Sequence, residues 1–248
     1  MYQYPDVIWL NTCSSLLRFN LPIIKYLSQY QKIAQWEYQQ HQDEASCLNV
    51  ALNLLDDYLT MIPKSVHLVG HSTCGLLGLL YARKYPEKVR SLSLLGVGIN
   101  PSLDWVNYYY FLRKTLPCSR ELVLARMVKH LFGYQSSYHS KALVKVLDKA
   151  VIYSVSSHSL YQSITIPTEV ISAPLLICGN QNDAIISTAE LEGWYSFLKV
   201  GDRLAKVKEG YHFFHYFQSQ KVGEILLRFW QSKGEILNLS LAQEKNRL

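Results

Sequence analysis

VHLVGHSTCG, residues 66–75, is the segment that decides how this chain folds. Its first four residues are mostly apolar and include two valines, as in a short buried strand. Gly70 permits a tight turn around Ser72, and the apolar run LLGLLY, residues 76–81, begins a helix that ends before Pro86. A strand, a sharp turn and a helix in this order hold the Ser72 hydroxyl above the end of a sheet, where a base can reach it.

The turn departs at one position from the usual Gly-x-Ser-x-Gly pattern, because Cys74 replaces the second glycine. Cysteine is small, so the helix can still lie close to the strand, with Gly75 and Gly78 assisting. An ordinary strand-to-helix connection that happens to contain a serine is the alternative, since short motifs often match by chance. The rest of the chain must therefore supply the partners of a nucleophile.

A serine nucleophile needs an orienting acid and a base, in the chain order Ser, Asp or Glu, His. PLLICG, residues 174–179, is a second short buried strand, and Asp183 follows it in a polar loop. Residues 203–208 alternate weakly as a strand, and His212 follows them. In a parallel sheet both loops open at the same edge as the Ser72 turn, where ligands bind. Asp183 can instead cap its own loop, and His212 can be a packing residue in an aromatic run, but their order and spacing favour a triad.

Two other histidines lie near the predicted site. His215 is on the same segment as His212 but does not follow the Gly-Tyr pair. His71 adjoins Ser72 at a tight turn, where neighbouring side chains usually point apart, so a packing or hydrogen-bonding role is expected for it.

Three segments resemble the α/β-hydrolases, the superfamily of lipases, esterases and peptidases. They are LVGHS with the later YPEKV (residues 66–90), the strand and loop at residues 173–183, and GYH with a closing amphipathic helix (residues 209–230). The resemblance extends from the first strand to about Gln231. It implies Ser72 as nucleophile, His212 as general base and acid, and Asp183 as the partner that orients His212.

The resemblance also implies an oxyanion hole made of two backbone N–H groups, those of Thr73 and Cys13. Family members usually carry His-Gly just before the second donor, where this chain has Asn11 and Thr12. The next strand is predicted at residues 32–38. The glycine-rich turn that follows this strand in the family is also absent here. These glycine losses favour either an unusual substrate or a protein that has lost catalysis.

Composition limits the other possibilities. The chain has 248 residues, 49% hydrophobic and 18% charged, which is enough for one domain with an insertion. The net charge is +6, but the basic residues do not cluster beyond pairs such as Arg113-Lys114, so no nucleic-acid partner is expected. Neither a run of transmembrane length nor a signal peptide is recognisable, and the five cysteines are scattered, which favours a cytoplasmic protein with reduced thiols. The chain contains no phosphate-loop, zinc or dinucleotide motif, so neither a cofactor nor a metal is expected.

The alternation of strands and helices predicts an α/β fold, with a mostly parallel sheet of about six strands and helices on both faces. The family's additional antiparallel hairpin is not expected, because too few residues precede Val7. The predicted strands cover residues 7–10, 33–38, 66–69, 92–96, 175–178 and 204–208. The predicted helices of the core cover residues 21–30, 46–61, 74–85, 188–198 and 222–231. The predicted core comprises residues 1–98 and 171–231, with a tail at 232–248.

Residues 99–170 are predicted to be a helical cap inserted into this core. Helices are expected near residues 105–112, 119–132 and 141–153, with Ser119 as an N-cap. A cap covers the nucleophile, excludes water and shapes the pocket. The residues expected to contact the substrate are Asn11, His71, Tyr109 and Phe213, and plain packing is the alternative for each.

The sequence therefore predicts a capped serine hydrolase that cleaves a small or medium apolar ester or thioester through an acyl-enzyme. Cleavage of an amide or a C–C bond is left open. The alternative is a non-catalytic protein of the same fold that binds a ligand or a partner protein. The intact order of Ser, Asp and His favours the enzyme, and the lost glycines favour the binding protein.

Overall fold

The computed structural model of the chain describes residues 4–40, 43, 46–156, 158 and 165–245, with side chains up to residue 232. Its centre is a six-stranded sheet in the order β2-β1-β3-β4-β5-β6, and every neighbouring pair of strands is parallel. The strands are β1 (Val7–Asn11), β2 (Ile33–Glu37), β3 (Val66–His71), β4 (Val89–Leu95), β5 (Leu175–Asn180) and β6 (Arg203–Val207). The predicted parallel sheet of about six strands is confirmed.

Nine α-helices lie within the described residues. They are α1 (Leu21–Leu27), α2 (Leu48–Thr60), α3 (Thr73–Lys84), α4 (Trp105–Thr115), α5 (Arg120–Phe132), α6 (Ser137–Tyr153), α7 (Thr188–Glu192), α8 (Phe214–Phe217) and α9 (Ser219–Lys245). Two of the predicted helices differ most from the structure in their extent. The fourth core helix gives way to a 3-10 helix at Gly193–Phe197, and α9 continues well past Gln231, because no proline interrupts residues 232–245.

Both faces of the sheet are covered, because successive side chains of each strand point to opposite faces. Ile8 and Leu10 of β1 belong to the apolar cluster formed with α2 and α3, whereas Val7 and Trp9 belong to the cluster formed with α1 and α9. The sheet is therefore buried on both sides, as its parallel strands require.

Helices α4, α5 and α6 form a third apolar cluster, called here the helical layer, which also includes Cys13 and Phe213. Both of these residues follow strands at the carboxyl edge of the sheet, so the helical layer packs over that edge. Ser119 accepts a hydrogen bond from the backbone N–H of Leu122, which confirms the predicted N-cap of α5. Within the described part of the chain, none of the helices is both long enough and apolar enough to cross a membrane.

Candidate active site

Ser72 occupies a strained turn between β3 and α3. Its φ of 54° and ψ of −125° are rare for a residue with a side chain. The Ser72 N–H donates to the Leu95 carbonyl at 2.9 Å, and the Ser72 carbonyl accepts from Leu76 at 3.1 Å. A Cβ on Gly70 would lie 2.4 Å from the Cys74 carbonyl carbon, so only glycine fits there. The turn thus holds the Ser72 side chain in one place at the end of β3.

Two departures from the family pattern, Thr12 and Cys74, lie against each other. Thr12 Oγ1 is 3.3 Å from Cys74 Sγ, a hydrogen-bond contact between the two loops. Gly75, the residue after Cys74, allows α3 to pack closely against Val97, since a Cβ on Gly75 would lie 2.6 Å from Val97 Cγ2. Burial raises the pKa of the Cys74 thiol to about 11, so it stays neutral and unreactive at neutral pH. Cys74 is therefore a small packing residue here.

Asp183 and His212 form a buried hydrogen-bonded pair at the same edge of the sheet. His212 Nδ1 lies 2.8 Å from Asp183 Oδ2, and both side chains are fully buried. The other carboxylate oxygen, Oδ1, accepts from the backbone N–H groups of Ile185 at 2.8 Å and Ile186 at 3.2 Å. The carboxylate is therefore fixed on one side and orients the imidazole on the other.

Two asparagines tie the loops that carry Asp183 and His212 together. Asn180 Nδ2 donates to the Glu209 carbonyl, and Asn182 Nδ2 donates to the Lys208 carbonyl at 2.7 Å. Asn180 Oδ1 also accepts from the Asn182 N–H at 2.6 Å. The loop after β5 thus holds the loop after β6 through two asparagine side chains, whose partners cannot be recognised from the polar sequence of this loop.

The imidazole of His212 lies beside the Ser72 turn without a hydrogen bond to Ser72. Its ring centroid is 4.6 Å from that of His71, the chain neighbour of Ser72. Among the described residues, Ser72 Oγ and His212 Nε2 are both buried and have no hydrogen-bond partner. The three predicted catalytic residues therefore meet at one edge, with the Asp-His contact formed and the Ser-His contact not formed.

His71 and His215 help to hold His212 in place. His71 Nε2 donates to the backbone carbonyl of His212 at 2.9 Å, since a carbonyl only accepts. His215 Nε2 lies 3.0 Å from Asn20 Oδ1. Burial lowers the pKa of His71 well below its usual range and that of His215 to about 3, so both rings stay neutral. His71 is thus a packing and hydrogen-bonding residue, as the sequence predicted.

A small cavity of about 30 Å³ lies over Ser72, which is room for about one water molecule. The residues that line it include Asn11, Thr12, Cys13, His71, Ser72, Thr73, Trp105 and Phe213. Three of the four predicted substrate contacts are therefore at the cavity. The fourth, Tyr109, is not among the lining residues, because it lies on the inward side of α4, buried in the helical layer with its ring 5.3 Å from that of Tyr110.

The cavity is lined by three residues that could donate hydrogen bonds to a substrate oxygen. Thr73 is the first residue of α3, so its N–H has no acceptor within that helix. Cys13 lines the same cavity just before the 3-10 helix Ser14–Phe19. Asn11 is 2% exposed, and among the described residues its amide nitrogen Nδ2 has no hydrogen-bond partner.

Asp104 is a site residue that sequence reasoning missed. Its Oδ2 accepts from Thr73 Oγ1 at 2.6 Å, and its Oδ1 accepts from the Asn107 N–H at 2.8 Å as the N-cap of α4. One buried carboxylate thus joins the first residue of α3 to the first turn of the helical layer. An Asp directly before a helical segment is an N-cap signal, but nothing local in the sequence points to Thr73.

The helical layer also touches the segment that carries His212. The Phe213 N–H donates to the Leu131 carbonyl at 3.3 Å, and the Phe213 ring stacks on Phe132 at 4.6 Å between centroids. The Tyr211 ring lies so close to Gly133 that a Cβ there would be 2.2 Å from it. The end of α5 therefore fixes the backbone on both sides of His212.

No group of three or more His, Cys, Asp or Glu side chains in the described ranges is arranged to hold a metal ion.

Comparison with known proteins places this geometry in a family. A family model described as the alpha/beta hydrolase fold matches residues 59–128, which include the Ser72 turn. The chain is 43% identical over 226 residues to "Uncharacterized protein alr2406" of Nostoc sp., covering 91% of this chain and 90% of that protein. "Uncharacterized protein sll0249" of Synechocystis sp. matches with the same identity and coverage.

Solved structures with the same fold have low sequence identity to this chain. A membrane phospholipase A described as a bacterial virulence factor has a TM-score of 0.72 at 15% identity, over 94% of this chain and 80% of that one. A thermophilic esterase has a TM-score of 0.69 at 15% identity, over 94% and 92% of the two chains. Naproxen esterase from Bacillus subtilis has a TM-score of 0.69 at 19% identity, over 93% and 85%. With its parallel sheet, its serine turn and these matches, the chain belongs to the α/β-hydrolase superfamily.

Proposed function

We propose that this protein is a serine hydrolase that cleaves a small or medium apolar ester or thioester through a covalent acyl-enzyme. The observation that carries the proposal is the buried His212–Asp183 pair beside Ser72, whose hydroxyl is held in a strained turn. A carboxylate anchored by two backbone N–H groups suits the role of orienting an imidazole.

In the proposed reaction, Ser72 Oγ attacks the substrate carbonyl carbon while His212 Nε2 takes the hydroxyl proton. Collapse of the tetrahedral intermediate breaks the ester or thioester bond, and His212 returns the proton to the leaving oxygen or sulfur. Water then attacks the acyl-enzyme with His212 again as base. Asp183 stabilises the imidazolium that forms in each step.

The oxyanion of the intermediate is proposed to bind the N–H groups of Thr73 and Cys13. The side-chain amide of Asn11 is proposed as a further contact to this oxygen, since its nitrogen is buried at the cavity and has no partner among the described residues. The helical layer acts as a cap that excludes water through Trp105 and Phe213. The neutral, largely apolar lining favours an uncharged acyl group.

A non-catalytic binding protein is the second candidate, and two observations favour it. Ser72 Oγ is not hydrogen-bonded to His212 Nε2, and the cavity of about 30 Å³ is smaller than an acyl group requires. Catalytic contacts are often long before a substrate binds, so the same observations fit an enzyme whose cap must move to admit its substrate.

A labelled fluorophosphonate distinguishes the two candidates, because it reacts covalently with an activated serine. We expect the unmodified protein to be labelled and to hydrolyse p-nitrophenyl butyrate, and Ser72→Ala to lose both activities. His212→Ala should lower the rate of ester hydrolysis by a similar factor, since Ser72 and His212 act as one unit. The matched control is Ser93→Ala, since Ser93 is also a buried serine without a partner in the described residues but is not at the cavity.

Full labelling of Ser72→Ala, or a Ser93→Ala variant as inactive as Ser72→Ala, would contradict the assignment of Ser72. An unmodified protein that neither reacts with the probe nor turns over the ester would favour the binding protein.

A further inference from the structure

A groove of about 780 Å³ lies on the outer side of the 3-10 helix Ser14–Phe19, whose inner side faces Ser72. Leu16 lines the small cavity over Ser72, whereas Arg18 lines the groove. One face of α6 forms the opposite wall of the groove. The groove and the candidate active site are thus separated by this one short helix.

The groove is positively charged. Arg18 of the short helix faces Lys145 and Lys149 of α6, and none of the described residues that line the groove is acidic. Within the described part of the chain, none of these three cations takes part in an ion pair. The neighbouring acid on α6, Asp148, is already paired with Arg120 at 2.6 Å. The positive charge of the groove is therefore available to a ligand.

An apolar cavity of about 290 Å³ adjoins the basic groove, and the two share Arg18, Ala142 and Val146 as lining residues. Its walls include Phe19 and Phe132, and the described residues that line it include no acid. The combined surface thus has a basic half and an apolar half side by side. The volume of the basic groove, about 780 Å³, is in the range of ordinary ligand sites.

We propose that this surface binds a single-chain anionic amphiphile, with its phosphate or carboxylate on Arg18, Lys145 and Lys149 and its hydrocarbon chain in the apolar cavity. Lys and Arg recognise such oxygens through charge-assisted hydrogen bonds. The adjoining active site then makes the ligand an acyl ester that carries an anionic group. This last step rests on the proposed function, whereas the binding step does not.

Other ligands use only part of this surface. A free inorganic anion would leave the apolar half empty, and a neutral ester would leave three cations unpaired. A nucleic acid needs basic residues over a longer stretch of surface. An anionic amphiphile is the ligand class that satisfies both halves.

Binding is measured first, by calorimetric titration of the full chain with dodecyl phosphate below its micelle concentration. Dodecyl phosphate has no carboxylic ester, so turnover by the proposed hydrolase does not affect the result. We expect the Lys145→Ala/Lys149→Ala double variant to weaken binding about tenfold or more. The control is Lys114→Ala/Lys141→Ala, which removes the same charge from positions outside the groove and should bind as the unmodified protein does.

Two further ligands test the two halves of the surface separately. Inorganic phosphate should bind much more weakly than dodecyl phosphate, and dodecyl maltoside should be insensitive to the Lys145→Ala/Lys149→Ala change. Equal binding of both phosphates, or equal loss of binding in the control variant, would overturn the proposal.

Kinetics then tests whether the ligand is a substrate. We compare release of laurate from 1-lauroyl lysophosphatidic acid and from 1-monolauroylglycerol, which differ only in the phosphate. The Lys145→Ala/Lys149→Ala variant should raise KM about tenfold for the first ester only. An equal effect on both esters would overturn the inference and leave the hydrolase standing. Dodecyl phosphate binding that depends on the lysines, with neither ester hydrolysed, would support the site and contradict the proposed function.

Discussion

Asn11 stands where the relatives of this fold usually carry histidine, and the structure suggests why an amide suits this chain. Its side chain is buried at the cavity over Ser72, with Nδ2 unpartnered among the described residues. A buried amide without a partner costs stability, so its retention is explained if a substrate oxygen supplies the missing acceptor. Thr12, which follows it, is instead engaged with Cys74.

Replacement of Asn11 tests this role. We expect Asn11→Ala to lower kcat for p-nitrophenyl butyrate about 100-fold with a much smaller effect on KM, as for other oxyanion-hole amides. Asn11→Asp has the same shape but only accepts hydrogen bonds, so it should lower kcat further. Thermal unfolding of each variant checks the fold. A kcat within about twofold of the unmodified value in Asn11→Ala would contradict the role.

For single residues, the sequence predicts which loop carries a residue better than it predicts where the side chain of that residue points. The positions of Ser72, Asp183 and His212 at one edge follow from the ends of three parallel strands. The sequence predicts Tyr109 at the substrate, but the structure does not place it among the residues that line the cavity. The aromatic run of α4 does not show which side of the helix turns inward. Asp104 was missed because its partner Thr73 is 31 residues away in the chain.

Asp104 also connects two secondary-structure elements, because it joins α4 to α3. Its carboxylate caps α4 through Asn107 and also accepts the Thr73 hydroxyl. Thr73, the residue after Ser72, is therefore bonded directly to the helical layer. The end of α5 bonds to the segment of His212 in the same way, through Leu131 and Phe213.

Loss of this connection should affect both stability and activity. We expect Asp104→Ala to lower the free energy of unfolding by about 2 kcal/mol, because it removes an N-cap and leaves the buried Thr73 hydroxyl unpaired. It should also lower kcat for p-nitrophenyl butyrate, since Thr73 is a proposed oxyanion donor. Urea unfolding and steady-state kinetics measure the two effects.

The control for this experiment is Ser119→Ala, which removes the N-cap of α5 but has no bond to α3. It should cost about 1 kcal/mol and leave kcat unchanged. Equal effects of the two substitutions on kcat would show that Asp104 acts only as a helix cap.

The elements themselves were predictable where burial is strong. β3 and β5 are buried at every residue, and their apolar runs locate them in the sequence. Helix ends were less predictable. α7 changes into a 3-10 helix at Gly193, where a Cβ would lie 2.7 Å from Ile99 Cγ2, and this contact between distant segments has no local signal.

At the scale of the whole molecule, folding brings together charges that are dispersed in the sequence. The sequence shows only short basic runs, whereas the fold places Arg18 opposite Lys145 and Lys149, from segments more than a hundred residues apart. The parallel sheet was predictable because alternating strands and helices permit few arrangements. The groove was not predictable, because it depends on how α6 packs beside the 3-10 helix Ser14–Phe19.

Three buried histidines make the stability of the whole molecule sensitive to acid. Burial lowers the pKa of His67 and of His215 to about 3, and that of His71 well below its usual range. Each ring is therefore neutral in the folded state and has a pKa of about 6.5 when unfolded. Below that pH the unfolded state binds more protons, so the free energy of unfolding falls as the pH falls from about 6.5 towards 3.

His67 isolates this effect, because it lies away from the candidate active site. Its Nδ1 is 2.7 Å from Ser91 Oγ, and its ring stacks on Trp230. Desolvation by burial is the main cause of its low pKa; the charges of Arg90 and Lys64 lower the pKa further, and the charge of Asp6 raises it.

Replacing His67 by glutamine should remove one acid-sensitive group. The free energy of unfolding of the unmodified protein should drop between about pH 7 and pH 5, and the drop should be about 2 kcal/mol smaller in His67→Gln. Urea unfolding at the two pH values measures this difference, and His139→Gln, at an exposed position, should show the full drop. If His67→Gln loses as much stability as His139→Gln, the acid sensitivity arises from other groups. If its drop is smaller, His67 is one source of the acid sensitivity. Its imidazole is neutral beneath Trp230 in the folded state, whereas below about pH 6.5 it binds a proton in the unfolded chain, and this proton binding favours unfolding.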